Sequence, residues 1–262
     1  MERALGKNVN DTMIAQLKSL VRQLFYHSAL FQSLVGFCSI ALGRTKGIGM
    51  SHLLSYREND AIGPLQRDEA IALFGIIRTL RPKVVVEFGF FHGHSAFNFL
   101  QALPADGRLY SYDIDADSIR RANTEFNFDR RFTFIGKSQT DFDPDDIGNQ
   151  EIDFAFFDAA HELDLNVETF NRIIPHLAAE AMVAIHDTGL WHRDHFAPIH
   201  ETFTHEHPGV WKDGDLYAHQ PGERAFIDWL VAAHPGFSAM HFHSTRTLRH
   251  GFTLIQRQRP LS

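Results

Sequence analysis

The stretch Val84–Ser95, which reads VVVEFGFFHGHS, contains the pattern that decides the fold. Its three valines begin a short, continuous apolar run, which predicts a buried strand over 83–89. The segment 95–103 that follows has the spacing of a helix, and Gly89 and Gly93 allow a tight turn between strand and helix. A strand, a tight turn and a helix in this order are typical of a parallel α/β sheet.

The same alternation continues along the chain. Strands with apolar residues on both faces alternate with helices, which is typical of a parallel sheet covered on both sides. Further strands are predicted at 107–115, 131–136, 152–158, 181–187, 238–244 and 251–257, and further helices at 66–80, 117–126, 165–177 and 223–234. The last two strands have no helix between them, which favours an antiparallel end. The predicted fold is therefore α/β, a Rossmann-like doubly wound seven-strand sheet with an antiparallel last strand.

The N-terminal part of the chain is predicted to be a separate helical segment. Apolar residues recur at helical spacing over 11–42, and a glycine-rich connection follows at 43–64. We expect residues 1–60 to form a lid or a homodimer contact. Residues 61–262 would then form the main domain.

Composition excludes several classes of protein. Lys and Arg total 25 against 32 Asp and Glu, with no basic run, which argues against nucleic-acid binding. The single cysteine, Cys38, excludes an internal disulfide and a cysteine-cluster metal site. The apolar stretch 24–43 is interrupted by polar residues, and the first residues lack the layout of a signal peptide. We expect a cytoplasmic protein with no membrane partner.

Polar residues cluster where the predicted strands end, which is where ligands bind in such sheets. A dinucleotide fingerprint starting at Gly89 would need glycines at 91 and 94, where the chain has Phe91 and His94. A pyrophosphate ligand is therefore disfavoured. Asp113 ends the second strand and has the position of a carboxylate that accepts both ribose hydroxyls, or of a helix cap. Ser138 and Gln139, after the third strand, either hydrogen-bond an adenine edge or belong to a polar loop.

Together these residues resemble a class I S-adenosylmethionine-dependent methyltransferase over about 60–257. The segments VVVEFGFFHGHS, GRLYSYDID, IDFAFFDAAHELDLNVETFNRIIPHL and AMVAIHDT are similar to the macrocin O-methyltransferase and cephalosporin-hydroxylase-like group. The resemblance implies that the methionine part of the cofactor is held by Glu87, Gly89, Phe90, Gly93 and Ser95. It implies that the nucleoside lies against Asp113, Ile114, Ser138 and Gln139, and that Asp158 and Ala159 face cofactor and acceptor. Gln66, at the start of the helix 66–80, would close over the cofactor.

Methyl transfer to a hydroxyl also requires loss of the hydroxyl proton, to a general base or with the help of a metal ion. The resemblance implies a metal site at Asp158, His186 and Asp187, where a histidine replaces one acid of the metal-dependent relatives. That replacement disfavours magnesium and favours zinc, manganese or iron, with His161 as an additional imidazole. Without a metal, His161 or His186 would act as the base near neutral pH.

The sequence thus predicts S-adenosylmethionine-dependent methyl transfer to a small-molecule acceptor, most naturally the hydroxyl of a natural-product-like compound. The candidate catalytic residues are His161, His186 and Asp187. The His-rich stretch 186–209 is predicted to cover the substrate. Two alternatives stay open: a nicotinamide-dependent oxidoreductase on a Rossmann-like fold, and a non-catalytic protein that binds the cofactor.

Overall fold

The computed structural model describes most of the main domain. The described residues are 65–127, 129–159, 161–189, 221–242, 251–257, the backbone of 191–192 and 217–218, and Ile14, Leu17, Leu20, Ser28, Leu34, His52, Leu53 and Tyr56. Contacts divide the chain into two units, 1–51 and 52–262. Cys38, most of the predicted N-terminal helices and most of the His-rich stretch lie outside the described residues, so the roles predicted for them stay predictions.

A seven-strand sheet forms the centre of the domain, as the sequence predicts. Its strands are β1 (Val84–Phe88), β2 (Arg108–Tyr112), β3 (Phe132–Ile135), β4 (Ile152–Phe157), β5 (Leu177–His186), β6 (Phe237–Phe242) and β7 (Phe252–Arg257). Their order in the sheet is β3-β2-β1-β4-β5-β7-β6. Strands β1 to β5 are parallel, and β7 is antiparallel to both β5 and β6. A separate ribbon pairs 191–192 with 217–218.

Helices separate the strands where the apolar spacing predicts them. They are α1 (Arg67–Leu80), α2 (His94–Ala102), α3 (Ala116–Arg121), α4 (Leu163–Ile173) and α5 (Pro221–Ala233). Helix α3 continues as a π-helical turn over Ala122–Phe126. The largest difference between the predicted and the observed element boundaries lies at Pro175, in a 3₁₀ turn after α4. Because proline has no N–H to continue the helical ladder, α4 stops before 177 and β5 begins there, four residues before the predicted 181.

Alternate residues of the strands fill two hydrophobic clusters, one on each face of the sheet. Val85 belongs to the cluster that contains Leu73 of α1 and Phe99 of α2. Val86 belongs to the other, with Phe170 of α4 and Phe226 of α5. The sheet is thus covered on both faces, and the direction of the strand order reverses between β1 and β4. The carboxyl ends of these two strands open at this switch point, which is the expected ligand site.

Among the residues that the structure describes, no helix has the length and hydropathy that crossing a bilayer requires.

Candidate active site

The turn after β1 is built around a close approach between β1 and β4. Gly89 has φ +100°, and a Cβ atom on it would lie 2.2 Å from the carbonyl oxygen of Asp158. The backbone N–H of Asp158 donates to the carbonyl of Phe88 at 2.8 Å, which holds the two strand ends together. Glycine is therefore required here by strand packing as well as by the turn.

The side chain of Glu87 lies fully buried at the end of β1. Its Oε2 accepts a hydrogen bond from the Ser111 hydroxyl, while its Oε1 has no hydrogen-bond partner among the described residues. Burial raises the pKa of Glu87 to about 8, against the opposing effect of the Ser111 and Ser95 hydroxyls. A buried, unpartnered carboxyl oxygen next to a ligand site fits a cofactor group with hydrogen-bond donors.

This raised pKa makes a prediction about stability. The pKa of Glu87 is higher in the folded state than in the unfolded state. Its contribution to the stability of the fold is therefore present in full below pH 4.5 and is lost as the pH rises through about 8. The variant Glu87→Gln does not titrate. The free energy of unfolding of the wild type should therefore fall by roughly 5 kcal/mol relative to that of the variant over this range.

Urea unfolding of both proteins on either side of this range measures the change. A difference in unfolding free energy that does not vary with pH would contradict the assignment.

Asp113, at the end of β2, organises the turn after β1. Its Oδ2 accepts hydrogen bonds from the backbone N–H groups of Phe90 (3.1 Å) and Phe91 (2.7 Å) and from the Ser118 hydroxyl (3.0 Å). Its Oδ1 accepts from the N–H of Asp115 at 2.9 Å. The carboxylate thus orders the loop beside the site and retains acceptor capacity on Oδ1.

The two phenylalanines in this turn face opposite ways. The ring of Phe90, implied by the resemblance to contact the cofactor, is buried against Phe126, Phe132 and Phe134. Only its backbone remains for a ligand. Phe91 instead has φ +46° and is 54% exposed. Bulky residues in such strained conformations cluster at functional sites, and no role was predicted for Phe91 from the sequence.

The predicted nucleoside residues lie at the ends of β2 and β3. Ile114 is 71% exposed beside Asp113. Ser138 caps a short 3₁₀ turn through the N–H of Thr140, and Gln139 is buried with its Nε2 donating to Asn166 Oδ1 at 3.1 Å. Oε1 of Gln139 has no hydrogen-bond partner among the described residues, so this amide fits a ligand that donates hydrogen bonds.

The other predicted cofactor residues surround this edge of the sheet. Gly93 has φ +75° and precedes α2, on which Ser95 is buried. Ala159 is exposed directly after Asp158. Gln66 is buried as the N-cap of α1, and its backbone N–H donates to Glu69 Oε2 at 3.1 Å.

Three predicted residues meet at the ends of β4 and β5. His186 Nδ1 lies 3.0 Å from Asp158 Oδ1 and 3.4 Å from Asp187 Oδ1. Asp187 has φ +57°, a strained backbone that turns the chain at the end of β5. One ligand atom from each of the three residues lies within 4.8 Å of the others. Two carboxylates and an imidazole at this separation fit a divalent transition metal.

Each imidazole of the site is also paired with a glutamate from a helix. His186 Nε2 lies 3.2 Å from Oε2 of Glu69 on α1. His161 Nδ1 lies 2.5 Å from Oε1 of Glu223 on α5, and its Nε2 lies 3.8 Å from Asp187 Oδ2. The site therefore contains four carboxylates around two imidazoles.

This environment differs from the neutral histidine base expected from the sequence. Burial by itself lowers the pKa of His161, but the negative charge and hydrogen bond of Glu223 outweigh it and raise the pKa to about 10. Burial is likewise outweighed at His186, where Asp158, Asp187 and Glu69 hold the pKa well above 6.5. The surrounding carboxylates thus favour the protonated form of both imidazoles.

Glu69 and Glu223 are not among the residues predicted from the sequence, although the sequence contains a signal for them. Glu69 is followed by Leu73 and Ile77, and Glu223 by Phe226 and Leu230, so each carboxylate lies on the apolar stripe of its helix. Both side chains are nearly fully buried. An acid at such a position is rare unless it is paired.

Comparisons with known proteins agree with this geometry. Residues 86–188 match the family model described as "Methyltransferase domain". The tapetum-specific methyltransferase 1 of Arabidopsis thaliana is 35% identical over 99 residues, which cover 35% of this chain and 42% of that protein. The chain thus matches less than half the length of this curated relative.

Two solved O-methyltransferase structures share the fold. The enzyme from Bacillus cereus, in complex with SAH, has a TM-score of 0.53 and 15% identity, over 92% of this chain and 97% of that chain. TomG from Streptomyces achromogenes, in complex with SAM, has a TM-score of 0.51 and 19% identity, over 75% of this chain and 82% of that chain. The predicted fold and the resemblance to class I methyltransferases are confirmed, whereas the macrocin and cephalosporin-hydroxylase-like subgroup stays a prediction.

Proposed function

We propose that this chain, whose residues 86–188 are a methyltransferase domain on the class I methyltransferase fold, methylates a hydroxyl group of a small molecule with S-adenosylmethionine. The observation that carries the proposal is the set of polar groups at the ends of β1, β2 and β3. Glu87 and Gln139 each bury a carbonyl-type oxygen with no partner among the described residues, and Asp113 orders the loop between them.

The chain's own residues would bind and orient the cofactor. Bound S-adenosylmethionine supplies an activated methyl group, so that the acceptor oxygen forms a bond to the methyl carbon while the carbon–sulfur electron pair leaves with sulfur. Glu87 and Ser95 would hold the methionine amine and carboxylate, and Asp113 Oδ1 would accept from the ribose. Gln139 would accept from the adenine amine. Positioning of the two reactants is the main catalytic contribution in such a displacement.

Asp158, His161, His186 and Asp187 would activate the acceptor hydroxyl. Without a metal ion, the two imidazoles would hydrogen-bond to the acceptor oxygen and orient it, and Asp187, which lies beside both rings, would receive its proton. A divalent ion held by Asp158, His186 and Asp187 would lower the pKa of the acceptor hydroxyl. The N-terminal segment and the His-rich stretch would enclose a natural-product-like acceptor, and the N-terminal helices would also be available for a homodimer contact.

The alternatives are less well supported. A nicotinamide-dependent oxidoreductase requires space for a pyrophosphate beside the first turn, where Phe91 stands in place of glycine. The methyltransferase family match also disfavours it. A protein that binds the cofactor without catalysis would not need the buried carboxylate and imidazole cluster beyond β4 and β5.

Calorimetric titration with S-adenosylhomocysteine tests the proposal directly. We expect binding with a dissociation constant in the micromolar range, and we expect it to survive treatment with a chelator, because Glu87, Asp113 and Gln139 are not among the candidate metal ligands. Absence of binding both before and after chelation would overturn the methyltransferase assignment. Binding that disappears on chelation would overturn the separation of the two sites.

A further inference from the structure

Two glutamates outside the matched methyltransferase domain extend the cluster at β4 and β5. Glu69 belongs to α1 and Glu223 to α5, whereas the family match covers 86–188. Each glutamate contacts one ring nitrogen of a site histidine. The pattern is the same in both cases: a carboxylate from a helix binds the ring nitrogen that faces away from Asp187.

The first pair fixes the orientation of His186. Glu69 is itself held in place, because its Oε1 accepts from the N–H of Gly251 at 2.7 Å and its Oε2 accepts from the N–H of Gln66. With Nε2–H donated to Glu69, the Nδ1 atom of His186 can only face Asp158 and Asp187. A lone pair on this nitrogen would point at two carboxylates, so the arrangement requires a positive charge between them.

The second pair fixes His161 in the same sense. Glu223 binds its Nδ1, which leaves Nε2 directed towards Asp187. The backbone enforces this contact: a Cβ on Gly222 would lie 1.9 Å from the carbonyl oxygen of His161, so α5 begins directly against the loop that carries the histidine. Oε2 of Glu223 has no hydrogen-bond partner among the described residues, and the side chain is 4% exposed.

We infer that Glu69 and Glu223 are positioning residues for a divalent metal centre of two carboxylates and two imidazoles, formed by Asp158, Asp187, His186 through Nδ1 and His161 through Nε2. The inference rests on the proposed function and adds the two outer carboxylates and the ring nitrogen through which each imidazole would bind the ion. A histidine that ligates a metal commonly donates its other N–H to a carboxylate, which fixes the ring and its tautomer. Both imidazoles meet this requirement before any ion is bound.

Titration with Co²⁺ alone, followed by visible absorption, tests the inference without an acceptor. We expect the wild type to bind one Co²⁺ with bands typical of mixed nitrogen and oxygen ligands. Loss of one outer carboxylate should weaken binding by about 10- to 100-fold and shift the bands. Glu223→Gln is the primary variant, because one of its carboxyl oxygens has no partner to lose. Glu69→Gln is the second.

The control is Glu168→Gln, which removes one negative charge from the exposed face of α4 and should leave Co²⁺ binding unchanged. Glu223→Asp, which keeps the carboxylate, should recover part of the affinity. S-adenosylhomocysteine affinity is measured on the same proteins and should be unchanged in the two Glu223 variants and in Glu168→Gln, which separates this inference from the methyltransferase assignment.

Three results would overturn the inference: a wild type that binds no Co²⁺, a Glu223→Gln variant that binds it like the wild type, or an equal loss in Glu168→Gln. If Glu69→Gln fails to fold because Gln66 and Gly251 lose their acceptor, Glu223→Gln decides alone.

Discussion

Replacing Gly89 with alanine is expected to lower the free energy of unfolding by at least about 3 kcal/mol and to abolish S-adenosylhomocysteine binding. An alanine Cβ would lie 2.2 Å from the carbonyl oxygen of Asp158 and 2.8 Å from the Cα of Ala159, and both are backbone atoms. The φ of +100° adds backbone strain for any side chain. Relief requires that the ends of β1 and β4 separate, and the cofactor and metal residues lie at these ends.

Gly75→Ala provides the matched control. Gly75 lies on the exposed side of α1, and a Cβ there would meet nothing within 4 Å. Alanine in a helix is more stable than glycine by roughly 0.5 to 1 kcal/mol, so this variant should unfold at higher urea concentration than the wild type and bind the cofactor product normally. If Gly89→Ala and Gly75→Ala unfold alike, the close approach of β1 and β4 does not govern stability.

The seven-strand sheet and its antiparallel end could be predicted because they follow from local patterns, and so could the meeting of several candidate site residues at one edge of the sheet. Apolar runs of strand length alternate with amphipathic segments, and parallel strands place their carboxyl ends at one edge of the sheet. Residues that follow different strands therefore meet there, as Asp158 meets His186 from the end of β5. No knowledge of side-chain packing was needed for this step.

The parts that could not be predicted depend on how helices pack against that edge. Glu69 and His186 are 117 residues apart in the chain, and Glu223 and His161 are 62 apart. Their pairing depends on where α1 and α5 begin relative to the sheet. Likewise, which of Phe90 and Phe91 exposes its ring depends on the left-handed backbone conformation of Phe91 in the turn.

These pairings also change the chemistry that the sequence implies. An isolated histidine at the end of β5 has the pKa of a base near neutral pH, but the three carboxylates of Asp158, Asp187 and Glu69 favour the charged form of His186. The cluster therefore has the electrostatic character of a cation-binding site. Together with the short separations among Asp158, His186 and Asp187, this character supports the metal centre inferred above.

Replacing Asp113 with asparagine is expected to weaken S-adenosylhomocysteine binding by at least about 100-fold, because charge-assisted hydrogen bonds contribute roughly 1.5 to 3 kcal/mol each. An asparagine has one acceptor oxygen. That oxygen could accept either from the N–H groups of Phe90 and Phe91 or from the N–H of Asp115, but not from both sides. The amide nitrogen would then face the remaining N–H donor or donors without an acceptor between them. The loop beside the site would lose its order, and the ribose would lose its carboxylate.

Asp117→Asn is the control for this experiment. Asp117 lies four residues after Asp113, in the first turn of α3, where its side chain is exposed and pairs with Arg120. Its affinity for S-adenosylhomocysteine should equal that of the wild type. Thermal unfolding of both variants separates a loss of binding from a loss of folding. If Asp113→Asn folds and binds like Asp117→Asn, the carboxylate neither orders the loop nor contacts the ribose, and the nucleoside must bind elsewhere at the sheet edge.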